Sequence, residues 1–189
     1  MMKNMLRTLL LILAASLAVY QAEAQLKRGN LLVGGNIADL DAGLRKGDLF
    51  SASLSPKIAW FLRDNAAVGG YLKFGLATAK NAGTSINYGI GLLGRYYLSN
   101  DNTNLYRHGR FFGEANVGIE GFNPAVGENT NGLGLGIGPG YAYFVSPNVG
   151  LETLLKYNGI VGFGQALTSH NLHLSFGFQI YLPVSGRSR

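Results

Sequence analysis

Hydrophobic and polar residues alternate strictly near the end of the chain. Over the 11 residues from Leu172 to Leu182, the even-numbered positions are apolar and the odd-numbered ones are mostly polar or small. Neighbouring side chains of a β-strand point to opposite faces, so this segment predicts a strand with one apolar and one polar face. A tilted strand of about 9–11 residues is long enough to cross the hydrocarbon layer of a membrane.

The same alternation recurs along the chain between clusters of Gly, Asn, Asp and Pro, which favour turns. We expect eight strands, near residues 30–38, 49–62, 66–77, 85–99, 109–122, 131–145, 148–158 and 170–182. Their apolar faces contain no Lys, Arg, Asp or Glu. The opposite faces carry many of the glycines and eight charged residues, namely Lys57, Lys73, Arg95, Arg110, Glu114, Glu120, Glu152 and Lys156.

Two all-β architectures share this pattern. A soluble barrel of the lipocalin type would bury the apolar face, whereas a membrane barrel would turn it outward. Charged residues make up only 14% of the chain, and a solvated surface usually carries about 25–35%. The charges have mixed signs and suit a narrow lumen in which they pair, because a buried unpaired charge is costly. The sequence therefore favours an eight-stranded antiparallel up-and-down transmembrane β-barrel whose lumen holds a network of these eight charged residues.

Outward-facing aromatic residues are expected near both rims of this barrel, because strand direction alternates along the chain. One rim receives Trp60, Tyr96, Phe111, Tyr141, Tyr143 and Phe178. The other rim receives Phe50, Tyr88 and Tyr157. Aromatic girdles at the two membrane interfaces are typical of transmembrane barrels.

The first 24 residues have the features of a signal peptide. Lys3 and Arg7 precede an apolar stretch from Leu9 to Val19, and a small-x-small site ends at Ala24. We expect cleavage between Ala24 and Gln25, which leaves residues 25–189 as a single barrel domain. The positive charges are scattered without a basic run, which argues against nucleic-acid binding. No cysteine is present and the three histidines lack metal-ligand spacing, so we expect no metal and no cofactor.

A short turn motif occurs twice. Residues 60–65 (Trp-Phe-Leu-Arg-Asp-Asn) lead into one strand, residues 143–148 (Tyr-Phe-Val-Ser-Pro-Asn) lead into another, and residues 96–102 form a looser copy. At these positions the chain resembles the small outer-membrane β-barrel domains of Gram-negative bacteria, including the porin-like barrels common in the Bacteroidetes. Its general plan resembles the OmpX and OmpA barrels. Residues 177–182 are similar to the terminal assembly signal of such barrels, although the chain continues to Arg189.

The resemblance implies a cell outer-membrane location and a particular orientation. The two tight turns would be periplasmic, and the longer connections near 39–48, 78–84, 123–130 and 159–169 would face outside. It also implies contact with outer-membrane lipids and lipopolysaccharide, insertion by the barrel assembly machinery, and a monomeric state. Arg45, Lys46 and Lys80 on the outer loops are candidates for contact with lipopolysaccharide phosphates.

The expected function is structural or surface-interactive. Five aromatic side chains point inward near the periplasmic rim, namely Phe61, Tyr97, Phe112, Phe144 and Tyr181. An eight-stranded interior is just wide enough for side chains, so this bulk predicts a plugged lumen. A narrow passive pore is one alternative. A lipid A-modifying enzyme is another, because His173 and Ser175 match the His-x-Ser pair of the lipid A deacylases, with Glu152 on the preceding strand.

Two prolines fall inside predicted strands. Pro56 and Pro139 have no N–H to donate, and a closed barrel offers no free edge to accommodate them. We therefore expect bulges or lost hydrogen bonds at both positions.

Overall fold

The computed structural model describes residues 26–42, 50–79, 83–98, 109–163 and 169–184. Eight strands form a closed antiparallel barrel in which each strand pairs with its neighbours in sequence and β1 pairs with β8. The strands are β1 (Leu31–Ala42), β2 (Phe50–Arg63), β3 (Ala66–Ala79), β4 (Gly83–Tyr97), β5 (Gly109–Asn123), β6 (Thr130–Ser146), β7 (Val149–Gly162) and β8 (Ser169–Leu182). Within these ranges, no helix has the length and apolar composition needed to cross a membrane.

All eight predicted strands are present in the predicted order, so the fold class is confirmed. Several strands run further than the sequence pattern indicated. The connection expected near 78–84 shrinks to residues 80–82, because Thr78 pairs with Thr84 across the ladder and their hydroxyl oxygens lie 3.2 Å apart. This connection is therefore shorter than the sequence pattern indicated. The proposed signal peptide and cleavage site, together with Arg45, Lys46 and Lys80, lie outside the described residues.

The apolar face of the sheet is turned outward. Ile137 is 65% exposed, whereas Glu114 on the opposite face of the neighbouring strand is 2% exposed. The same division holds along β6, where Leu133 and Leu135 point out and the intervening glycines point in. This orientation excludes the lipocalin-type alternative, in which the apolar side chains would fill the interior.

The repeated sequence motif corresponds to a repeated backbone feature. Asp64 and Asn65 join β2 to β3, and Pro147 and Asn148 join β6 to β7. The ladder shifts register next to each turn, between Phe61 and Arg63 and between Phe144 and Ser146. Asn65 adopts a φ of 65°, a left-handed conformation that Asn tolerates better than most residues. Below, the end of the barrel that holds these two turns is called the turn end, and the opposite end is called the loop end.

The two strand prolines interrupt pairing without shifting the register. Between β2 and β3, the ladder passes from Leu54↔Phe74 to Lys57↔Tyr71 with no pair at Pro56. Between β6 and β7, it passes from Ile137↔Tyr157 to Gly140↔Leu154 with no pair at Pro139. On their other sides, both prolines remain in register, opposite Gly35 and Gly113. Pairing is therefore lost as expected, but no bulge forms at either proline.

Inward-facing glycines of β6 leave space for the inward side chains of β5. Gly136, Gly138 and Gly140 lie opposite Asn116, Glu114 and Phe112 in the ladder. A Cβ atom at Gly140 would overlap the Phe112 ring, and one at Gly134 would lie 2.5 Å from Cγ of Glu120. The glycines therefore allow large β5 side chains to lie across the inner surface of β6.

We expect Gly140→Ala to destabilise the barrel by about 1–3 kcal/mol, the usual cost of overpacking. The added methyl group must displace Phe112 from a lumen that has no spare room at this level. Urea unfolding of the protein refolded into lipid vesicles measures the change. Gly113→Ala is the matched control, because a Cβ atom there has no heavy atom within 4 Å. Equal unfolding midpoints for the two variants would contradict this account of the glycines.

Candidate functional site

The lumen is filled at the turn end by five aromatic side chains, which form the aromatic layer: Phe61, Tyr97, Phe112, Phe144 and Tyr181. All five are buried, and they come from five different strands. The ring centroids of Tyr97 and Phe112 lie 5.4 Å apart, and those of Phe144 and Tyr181 lie 5.1 Å apart. The hydroxyl oxygens of Tyr97 and Tyr181 lie 2.8 Å apart, so the two polar tips satisfy each other within the cluster.

The segment before β1 packs against the aromatic layer from the turn end. Leu26 is buried and belongs to the same hydrophobic cluster. The N–H of Asn65 donates to the carbonyl of Leu26 over 2.8 Å, and the N–H of Gly29 donates to the carbonyl of Phe61 over 2.8 Å. The pattern analysis missed Leu26, because a single apolar residue outside a strand carries no periodic signal.

A layer of buried charges, the ion layer, lies directly above the aromatic layer. Arg95 is at its centre, with Nη2 2.5 Å from Oε2 of Glu114 and Nη1 2.6 Å from Oε2 of Glu152. Lys57 Nζ lies 2.9 Å from Oε2 of Glu114 and 3.9 Å from Oε1 of Glu152. Gln179 donates a hydrogen bond of 2.7 Å to Glu152. The ion layer thus links β2, β4, β5, β7 and β8 across the barrel.

The aromatic and ion layers are in direct contact. The guanidinium carbon of Arg95 lies 4.1 Å from the ring centroid of Phe112 and 5.8 Å from that of Tyr97. The Arg95 Nη1 group also donates to the Tyr97 hydroxyl over 3.0 Å. Cation–π attraction of this kind is strongest when both groups are removed from water, as they are here.

Two further lysines lie on the loop-end side of this layer. Lys156 Nζ lies 3.3 Å from Oε1 of Glu114, and Lys73 Nζ lies 2.9 Å from Oε2 of Glu120. The Tyr71 hydroxyl donates to Glu120 over 2.7 Å and accepts a hydrogen bond of 3.0 Å from Asn116. Tyr71, Asn116 and Gln179 were not among the predicted network residues, although strand alternation places all three on the inner face.

Seven of the eight predicted network residues take part in ion pairs. Arg110 does not join any of these pairs in the described part of the chain. It lies half-buried near the start of β5. On the inward face of this strand, Arg110, Phe112 and Glu114 follow each other, so Arg110 starts one inward position further toward the turn end than Phe112. The number of inward charges in the sequence does not show that Arg110 and the ion layer lie at different levels along the barrel axis.

A small polar cavity of about 50 Å³ adjoins the ion layer on the side of the loop end. His173 and Ser175, the two residues of the His-x-Ser pair, line this cavity rather than the outer face. Ser175 is buried; its hydroxyl donates to the carbonyl of Leu154 over 3.3 Å and accepts a hydrogen bond from Asn36 over 3.4 Å. In the described ranges, no group of three His, Asp or Glu side chains is arranged to hold a metal ion.

The outward aromatic residues occupy both ends of the barrel. At the turn end, Trp60, Tyr96, Phe111, Tyr143 and Phe178 are exposed. Tyr141 is half-buried there and packs on Phe111, with ring centroids 4.9 Å apart. At the loop end, Phe50, Tyr88 and Tyr157 are exposed. The Tyr157 hydroxyl lies 2.7 Å from Nδ1 of His170, and the Tyr88 hydroxyl bonds to Asn131.

Solved structures with the same fold include outer-membrane barrels. The N-terminal β-barrel domain of Pseudomonas aeruginosa OprF matches with a TM-score of 0.50 and 14% identity over 82% of this chain and 98% of that one. Neisserial surface protein A matches with a TM-score of 0.51 and 18% identity over 80% of this chain and 94% of that one. The outer-membrane enzyme PagL matches at a TM-score of 0.45 and 16% identity over 79% of this chain and 98% of that one, a likeness that gives no guide to activity.

No protein-family model matches the chain, and no curated protein matches it in sequence. The fold is nevertheless clear: this is a small eight-stranded barrel of the outer-membrane type. Its apolar outer face fits an outer-membrane location, because such a face is stable against acyl chains and costly in water.

Glu114→Gln should destabilise the barrel by about 3–5 kcal/mol, because it removes the carboxylate that Lys57, Arg95 and Lys156 share in a buried site. The urea unfolding midpoint in lipid vesicles measures the loss. Arg110→Gln, on the same face of the same strand, is the control and should change stability by only about 0.5 kcal/mol. If the two variants unfold at the same urea concentration, the buried ion pairs do not support the fold in this way.

Proposed function

We propose that this chain, a barrel of the outer-membrane type, serves a structural or surface-interaction role with a plugged lumen. The observation that carries the proposal is the stacking of the aromatic layer beneath the ion layer. In these layers, Tyr97, Tyr181 and Phe61 are among the most deeply buried side chains of the described residues. Activity would then reside on the outer face and at the loop end.

Two kinds of interaction oppose solute passage through this lumen. Opening the aromatic layer would separate rings that are in contact and expose them to water. Opening the ion layer would break the bonds of Arg95 to two buried carboxylates, and a charge left buried without its partner costs about 3–5 kcal/mol. A narrow passive pore is therefore less consistent with the geometry than a closed barrel.

The remaining surfaces suit contact with lipid and with molecules outside the cell. The outer face presents apolar side chains between two sets of aromatic residues, as expected for contact with outer-membrane lipids and lipopolysaccharide. At the loop end, the connection 124–129 carries Val126, a residue that is 86% exposed. We further propose export with cleavage after Ala24, insertion by the barrel assembly machinery, and a monomeric barrel.

Planar-bilayer recording tests the plugged lumen. The purified, refolded protein should show no stable ohmic conductance of porin size, because the aromatic and ion layers both cross the lumen. A large porin inserted in the same bilayer serves as the positive control. Reproducible ohmic steps from the barrel alone would overturn the proposal and favour the passive pore.

We propose that the chain does not modify lipid A. His173 and Ser175 line the lumen cavity, and the Ser175 hydroxyl is engaged with Leu154 and Asn36 rather than with His173. A lipid ester approaching from the bilayer would meet the outer face, where neither side chain lies. This placement is unsuited to acyl transfer, which needs the nucleophile and base within hydrogen-bond reach of each other and of the substrate.

Lipid A mass spectra test this absence of activity. We expect the same acyl composition from cells with the gene, cells lacking it, and cells carrying Ser175→Ala. Heat-dependent mobility on a detergent gel verifies that the variant barrel is folded. If lipid A kept an acyl chain both in cells lacking the gene and in cells with folded Ser175→Ala, and lost it in cells with the wild-type gene, the protein would be a deacylase instead.

A further inference from the structure

The buried charges described in the lumen do not balance. Four cationic side chains take part in the ion pairs: Lys57, Lys73, Arg95 and Lys156. Among the side chains that the structure describes, three carboxylates face them: Glu114, Glu120 and Glu152. The paired set thus carries one excess positive charge inside a narrow barrel. Buried charges are normally paired, because an uncompensated ion loses its hydration without gaining a partner.

The excess is localised at Lys156. Arg95 has Glu152 as a second partner, and Lys73 has Glu120. Lys156 shares Glu114 with Lys57 and Arg95, and its distance of 3.3 Å is the longest of the three contacts to that carboxylate. Three cations therefore converge on one carboxylate, and Lys156 is the least well compensated of them.

Lys156 borders the lumen cavity. Lys73 and its partner Glu120 line it together with Lys57 and Lys156. The side chains of Lys73 and Lys156 are each 19% exposed, whereas that of Lys57 is almost fully buried. The cavity volume of about 50 Å³ exceeds the roughly 10–15 Å³ needed for one water molecule, so the cavity can hold a few water molecules or ions of similar size.

The cavity wall also offers a hydrogen-bonding group whose capacity is not fully used. Asn36 is 4% exposed, lines the cavity, and has an Oδ1 atom without a hydrogen-bond partner. The NH₂ group of Asn36 has two N–H donors and uses one of them in the 3.4 Å hydrogen bond to the Ser175 hydroxyl, which leaves the other for an occupant of the cavity. Anions are bound by such N–H donors together with ammonium groups.

We propose that this cavity binds a small monovalent inorganic anion of halide size beside Lys156 and Lys73. The anion supplies the negative charge that the ion layer lacks, and the cavity volume limits its size. Binding involves no covalent step. The site lies on the loop-end side of the aromatic layer, so it does not require a path through the plugged lumen.

Bromide is the probe, and the ⁸¹Br NMR linewidth is the measurement. Titration of sodium bromide with the full-length mature barrel in zwitterionic detergent should give saturable excess broadening that added chloride removes. Lys156→Gln should abolish this broadening, because it removes the uncompensated charge. Lys156→Arg should retain it, since the charge is kept. Lys27→Gln is the control, because Lys27 is exposed at the turn end, away from the cavity.

Heat-dependent gel mobility establishes that each variant is folded before it is measured. The absence of saturable broadening in the wild-type barrel would overturn the proposal. So would broadening that survives in folded Lys156→Gln, because the anion would then bind elsewhere. Displacement of bromide by phosphate at lower concentrations than by chloride would contradict the size limit set by the cavity.

Discussion

Closure of the backbone hydrogen-bond ladder is the constraint from which the rest of this structure follows. A sheet surrounded by acyl chains has no water to satisfy an open edge, so β1 must pair with β8. With eight strands, closure fixes a cross-section only wide enough for side chains. The interior must then be filled by residues whose sizes and charges fit together, which leaves little freedom in the choice of lumen residues.

The lumen meets this constraint by combining large side chains with glycines. Phe112 and Glu114 on β5 lie over Gly140 and Gly138 on β6, so large side chains on one strand lie against glycines on the next. Contact between Arg95 and Phe112 then joins the aromatic layer to the ion layer. The aromatic layer and the ion layer therefore form one packed unit.

The period-two pattern predicted the strands and the orientation of their faces well. Each lumen-facing charge lies within an otherwise apolar or glycine-rich strand, so the charge marks which face of that strand points inward. The same pattern assigned Arg110 to the network, since alternation reports the face of a residue and not its height in the barrel. Which inward charges reach each other depends on the side chains that neighbouring strands bring to the same level, as Arg95 on β4 and Glu152 on β7 do. Tyr71 and Gln179 were not predicted as members of the network, because an uncharged polar residue on an inner face carries no distinctive signal.

The two strand prolines have a mechanical consequence for the wall. Backbone pairing is interrupted in two ladders, the one between β2 and β3 and the one between β6 and β7. The two ladders are four strands apart, so they lie on opposite sides of the eight-stranded barrel. Lys57 follows Pro56 directly and reaches Glu114 on β5, which lies opposite Gly138, the neighbour of Pro139. The ion pairs thus connect opposite walls of the barrel at the level where backbone pairing is interrupted. They resist flattening of the barrel in that direction.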